Sequence, residues 1–129
     1  MRDEAEQWLR LAQTDLRTAW QLLKDKIYYA AVFFAQQAAE KALKALWIAR
    51  HAELAPRTHN LVALATELGG DEALIQAAAE LGPEYILTRY LTPEVASPED
   101  LYDSKSANVH LDAARSIVEW VQQQHEEAP

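Results

Sequence analysis

The chain has 129 residues, with 12 Lys and Arg against 20 Asp and Glu, a net charge of −8, and no cysteine. That length suits one domain with a core of its own, and the composition excludes disulfides and thiolate metal sites. The acidic balance argues against general binding to phosphate backbones, which depends on many cationic contacts.

The charge is uneven along the chain. Residues 1–50 hold eight Lys and Arg against six Asp and Glu, a net of +2, while residues 51–129 hold four against fourteen, a net of −10. A nucleic-acid role would need a local basic patch. The row Arg10, Arg17 and Lys24, spaced by seven on one helical face, is a candidate, although a solvated face is the commoner reason for such a row. The opening MRDEAEQWLR is charged throughout, unlike a signal peptide. Charges interrupt every long apolar run, so no membrane span is expected, and a soluble, cytoplasmic protein is.

In chain order, the first predicted helix runs from about Asp3 to Leu23. Leu9, Ala12, Leu16, Ala19 and Leu23 repeat at steps of three and four, and Asp3, Glu4 and Glu6 favour the positive end of the helix dipole. Trp8 and Trp20 lie off that stripe, placed for a second helix or a second subunit. The short connection KDKI predicts an antiparallel hairpin with the next helix.

That second helix, Ile27–Arg50, organises the rest. It carries no Gly or Pro, and Gln36, Gln37, Glu40, Lys41 and Lys44 all fall within an arc of about 140°. The remaining surface is apolar, wider than a peripheral helix needs, so this helix is expected at the centre, with its alanines admitting close neighbours. Tyr29, Phe33 and Trp47 project onto the polar arc. An aromatic stripe among amides and charges suits a dimer interface; coverage by the first or last helix is the plainer explanation.

Pro56 stops the second helix. Thr58 or Asn60 then caps a short helix ending at Gly69-Gly70, and Asp71 caps another ending at Gly82-Pro83. EYILTRYL is expected to pack on the bundle, and Leu91–Asp103 reads as an exposed loop. The last helix begins near Ser104, with Ala107, Leu111, Ala114, Val118 and Val121 as its core stripe. The tail HEEAP is expected to fray.

Glycine-rich phosphate loops, HExxH and calcium loops are absent. His51, His59, His110 and His125 lie apart from one another and from acids at ligand spacing, so no metal or other cofactor is expected. His110 falls at the edge of a core stripe, where a partly buried histidine satisfied by a neighbour is commoner than a catalytic one. Arg57 and Arg89 are isolated cations in the acidic half, both beside helix boundaries where backbone N–H groups add to an anion site. With His59 and Tyr90 they are the candidate ligand-binding set. The competing explanation pairs each arginine with a nearby acid such as Glu84 or Glu94.

FFAQQAAEKALKAL at Phe33–Leu46, RTHNL at Arg57–Leu61 and TRY at Thr88–Tyr90, in this order and spacing, resemble a HEPN domain from about Trp8 to Val121. The resemblance implies an all-α antiparallel bundle of four main helices plus a short extra helix. It also implies a homodimer and pairing with a minimal nucleotidyltransferase, often as a toxin–antitoxin module, with nucleotide or RNA as ligand. Many HEPN proteins are metal-independent ribonucleases that use an Arg, four to six intervening residues and a His, with two such motifs meeting across a dimer. In such a site His supplies acid–base catalysis and Arg stabilises phosphate charge.

This chain departs from that motif. Arg57 is two residues before His59, Arg50 adjoins His51, Arg115 is ten before His125, and no His follows Arg89 within reach. The nearest imitation is Lys105 to His110, with Lys in place of Arg. Two readings follow: a non-catalytic dimeric module, or a ribonuclease with a degenerate site whose catalytic candidates are Arg89 and His110, or Arg57 with His59.

Overall fold

The structure, a computed structural model, describes residues 2–90 and 101–127. Its elements are α1 (Arg2–Lys24), α2 (Tyr28–His51), α3 (Leu61–Glu67), α4 (Glu72–Leu81), α5 (Glu84–Arg89) and α6 (Ser104–Glu127). The described residues contain no strand. The fold is the all-α antiparallel bundle expected, with α1, α2, α4 and α6 as its main helices. Besides α3, the segment after Pro83 is also helical, as α5. Most of the expected loop at Leu91–Asp103, and the last two residues of the tail, lie outside the described residues.

α2 is the hub. It packs against α1, α3, α5 and α6, and 13 of its 24 residues are buried, more than one apolar stripe could supply. By contrast α1 fully buries Ala5, Ala12 and Ala19 alone. Small residues at seven-residue spacing bring its axis close to α2, while Leu9, Leu16 and Leu23 wrap the flanks. Lys41 on α2 donates to Asp15 on α1 at 2.6 Å and pins that pair from the polar side. The predicted stripe of α6, from Ala107 to Val121, is buried throughout.

Local chemistry sets the boundaries. Lys26 at φ 64° and Ala52 at φ 53° turn the chain at the ends of α1 and α2. The Asn60 side chain accepts from the Ala63 N–H at 3.0 Å, so of the two expected caps for α3 it is Asn60 that serves; Thr58 braces it by accepting from the Asn60 N–H. Asp71 accepts from the Leu74 N–H at 2.9 Å and starts α4. Between those helices Gly69 adopts φ +79°, a conformation that glycine reaches without strain. Asp103 accepts from the Ser106 N–H at 2.8 Å while its own N–H donates to the Ser106 hydroxyl. The bond from the Ser106 N–H, followed by the Ser106 hydroxyl, holds the Asp103 carboxyl below its ordinary range.

The Arg10, Arg17 and Lys24 row is exposed, and Arg17 bonds only to Thr14 on its own helix among the described residues. No helix among the described residues is long and apolar enough to cross a membrane.

Ala38 and Ala42 are fully buried on α2, where added methylenes have no room. Replacing either with Leu should destabilise the bundle by about 1–3 kcal/mol, read as a lowered urea midpoint. A midpoint equal to the parent's would remove α2 from the centre.

Candidate anion-binding site

The polar arc of α2 is largely buried. Gln36, Glu40 and Lys44, each four residues from the next, are 1%, 7% and 8% exposed. The Glu40 carboxylate accepts from Gln36 Nε2 at 3.2 Å and from Lys44 Nζ at 3.3 Å. Gln37 Nε2 in turn donates to the Gln36 carbonyl at 2.7 Å. His59, arriving on the segment between α2 and α3, places Nδ1 2.9 Å from Glu40 Oε1. A carboxylate can only accept, so the network assigns the hydrogen to Nδ1. Nε2 remains available on a side chain that is 48% exposed. A buried charge persists when it is paired and hydrogen-bonded, and here three donors meet one carboxylate.

α5 covers the arc from the other side. Its Tyr85 ring stacks on His59 with centroids 3.7 Å apart and planes 16° from parallel. One turn on, the Arg89 guanidinium lies 4.3 Å from the Tyr85 centroid and 4.7 Å from that of Phe33 on α2. Phe33 is itself braced edge-on by Phe34 at 5.1 Å. The result is a column of imidazole, phenol, guanidinium and phenyl. Guanidinium groups are attracted to aromatic faces, and that of Arg89 lies over both rings. Among the described residues no carboxylate lies within 4.0 Å of Arg89 or of Arg57. A cavity of ≈ 360 Å³ borders His59, Asn60, Gly82 and Pro83.

A second polar cluster lies on the buried face of α5. Glu84 is nearly enclosed; His110 Nε2 on α6 lies 3.3 Å from its Oε1, and the Tyr102 hydroxyl donates to its other oxygen. His110 Nδ1 is buried without a hydrogen-bond partner, since Glu80 stays 3.8 Å away. Burial first, then the bond to Glu84 and its charge, push the Tyr102 hydroxyl well above the ordinary phenol range.

Of the residues singled out from sequence, His59 and Arg89 share the column. Arg57 and Tyr90 are exposed, Tyr90 at 65%, and neither makes a side-chain bond to a described residue. His110 is committed to Glu84, on a different face of α5 from Arg89. Glu84 does not pair with either arginine, and Glu94 lies outside the described residues. The stripe Tyr29, Phe33 and Trp47 is not continuous: Tyr29 is exposed, Phe33 lies under Arg89, and Trp47 stacks on His51 at 4.0 Å. Between the last two, α5 and His59 cover the arc, a role expected of the first or last helix. Sequence reasoning missed Glu40, Tyr85, Glu84 and Tyr102 as site members. The signal for the first was the Gln36, Glu40, Lys44 ladder in an otherwise apolar helix.

The sequence model of the HEPN domain matches residues 5–124. The chain belongs to the HEPN family. It is similar in structure to TT1696 from Thermus thermophilus, with 36% identity over 92% of this chain and 96% of that one, at a TM-score of 0.81. ST0689, an archaeal HEPN homologue, is 27% identical over 93% and 96%, at 0.78. The HEPN domain protein TM0613 from Thermotoga maritima is 26% identical over 95% and 99%, at 0.75. No curated protein matches the chain significantly in sequence.

Within the HEPN frame, the nearest imitation of the ribonuclease motif does not converge. Lys105 is exposed while His110 is buried, and α6 is continuous between them, so five positions turn the two side chains about 140° apart.

Tyr102 supplies a test of the second cluster. Its hydroxyl titrates above the ordinary value of 10.0, so the associated stability is fully present below about pH 10 and is lost as the pH rises further. The melting temperature of the parent should fall more steeply above about pH 10 than that of Tyr102→Phe. Parallel curves would show that the Tyr102–Glu84 bond contributes nothing.

Proposed function

We propose that this HEPN protein is a non-catalytic helical module. It forms a homodimer, pairs with a minimal nucleotidyltransferase in a toxin–antitoxin-like couple, and takes nucleotide or RNA as ligand. One observation carries the non-catalytic part. The histidine placed most like the family's catalytic one, His110, is turned inward onto Glu84, and its cationic companion Lys105 faces solvent. A general acid or base must reach the proton that it transfers, and an enclosed imidazole cannot reach an RNA strand.

Dimerisation is supported by the exposed apolar side chains Tyr29, Ile86, Leu87 and Tyr90, carried on α2 and along α5. Large apolar residues left in water are candidates for burial by a partner. Leu87→Glu tests this more cleanly than a change at Phe33, which also holds Arg89. Sedimentation should give twice the chain mass for the parent and a shift toward monomer for Leu87→Glu. A parent that is monomeric at micromolar concentration contradicts the dimer.

The second reading, a metal-independent ribonuclease, is favoured by the His59–Glu40 bond. It orients an accessible imidazole in the same stack as Arg89, the two residue types that such chemistry needs. Incubation of the purified protein with total RNA and chelator, with and without the nucleotidyltransferase, decides between them. The non-catalytic reading requires intact RNA in both; fragments lost on His59→Ala would install the ribonuclease.

A further inference from the structure

His59 is held differently from the other histidines of this chain. Its Nδ1 lies 2.9 Å from Glu40 Oε1, so Nδ1 carries the hydrogen and Nε2 the lone pair. That lone pair lies in the ring plane, where Tyr85, stacked on one face, does not block it. The side chain is 48% exposed, and Nε2 has no hydrogen-bond partner among the described residues. His110 offers no such atom, since its Nε2 meets Glu84 and its Nδ1 is buried. His51 is the informative contrast. Its Nδ1 lies 3.0 Å from the Trp47 carbonyl, which fixes the same tautomer, and its ring stacks on Trp47. The two exposed imidazoles share tautomer and stacking. They differ in what holds Nδ1, a neutral carbonyl or a carboxylate.

That difference bears on reactivity. An imidazole whose Nε2 bonds to an electrophile becomes positively charged, and a carboxylate at Nδ1 stabilises that charge as it develops. Glu40 is in place beforehand. Its Oε2 accepts from Lys44, and its Oε1 from Gln36 and His59; charge fixed in this way needs no reorganisation as the bond forms. A purely structural link to His59 requires only an acceptor, which a neutral amide would supply without burying a charge. We infer that His59 is a covalent modification site. Its Nε2 accepts a phosphoryl group from a phosphoramidate donor, the class that includes the phosphorylated histidine of another protein, and Glu40 stabilises the charged ring.

The step balances without a further reactant. The Nε2 lone pair attacks phosphorus and forms the new N–P bond. The donor's own P–N bond breaks, and its electron pair leaves with the donor nitrogen. In phosphoramidate that nitrogen already carries its three hydrogens and departs as ammonia. A leaving group of this kind needs no acid beside Nε2, which suits a ring bonded to no acid but Glu40 among the described residues. The Nδ1 hydrogen stays between the ring and Glu40 throughout. Glu40 is thus a positioning residue, since it does not touch the donor. Neither nucleotide binding nor RNA cleavage is required.

The test is incubation of the intact chain with potassium phosphoramidate, read by peptide mapping and phosphorus NMR. His59 should gain one phosphoryl group, on Nε2, at least about tenfold faster than His51 in the same molecule. His59→Ala should abolish that signal, and His51→Ala should leave it unchanged. Glu40→Gln keeps an acceptor for Nδ1 but removes the charge. It should slow the labelling of His59 at least about tenfold, with the Nε2 isomer retained and His51 unaffected. Where the melting temperature shows that this variant folds poorly, the ratio of His59 to His51 in the parent decides alone. Equal rates at the two histidines, labelling of His59 on Nδ1, or no labelling at all overturns the site. A folded Glu40→Gln variant that reacts as fast as the parent overturns it as well.

Discussion

Glu40 lies on the most enclosed helix of the bundle with its carboxylate largely out of water, and Gln36, Lys44 and His59 keep it there. Removing any one partner leaves a buried charge less satisfied, a change that costs several kcal/mol in proteins generally. The network also specifies structure. The segment between α2 and α3 has few apolar residues to anchor it, and its attachment to the hub runs through the His59 imidazole. Once that ring is fixed, it presents a flat face for Tyr85, and α5 gains a defined seat on α2. A polar group in the core thus determines where a short helix lies.

α5 has only six residues, too few to be stable alone, and its two working faces explain why it persists. Glu84 and Thr88 turn inward, where Glu84 meets His110 and Tyr102. Tyr85 and Arg89 turn toward α2 and build the column. The adjacent residues Glu84 and Tyr85 therefore link the two clusters through one turn of backbone. A change in the hydrogen bonding of Glu84 has a direct mechanical route to the aromatic that separates His59 from Arg89. The rest of the short helix, Ile86 and Leu87, is left facing solvent with Tyr90 just past its end.

Much of the fold was legible because its determinants are local. Helix stripes with fixed periodicity, side-chain caps at Asn60 and Asp71, and a proline after α2 each act within a few residues, and all appear where the pattern places them. The wide apolar arc of α2 likewise marked it as the hub. The site was legible only in part, because its determinants are pairings between distant segments. Arg89 and His59 drew notice as a lone cation and a lone imidazole, but nothing local indicates that Tyr85 lies between them. Glu40 looked like one member of a dimer interface or of a face covered by the first or last helix. It becomes a site residue only when α5 and the segment bearing His59 fold over it. Aromatic residues gave the weakest guidance: Phe33 and Trp47 share a helical face yet take different neighbours, one a guanidinium and the other an imidazole.

Burial also governs what His110 does in this chain. In the ribonuclease arrangement, an arginine and a histidine on one helix must both be accessible to a strand of RNA. Here His110 is enlisted in packing: an imidazole between Glu84 and Tyr102 ties α6 to α5, and its Nδ1 is buried without a hydrogen-bond partner among the described residues. Turning it outward would strip Glu84 of a neighbour and expose the core edge near Ala107 and Leu111. That structural commitment, with Lys105 exposed on the same continuous helix, keeps the two side chains apart. An arginine at position 105 would not by itself bring the two side chains together. The accessible imidazole in one column with a guanidinium that has no carboxylate within 4.0 Å among the described residues is His59, supported from behind by the hub's own carboxylate.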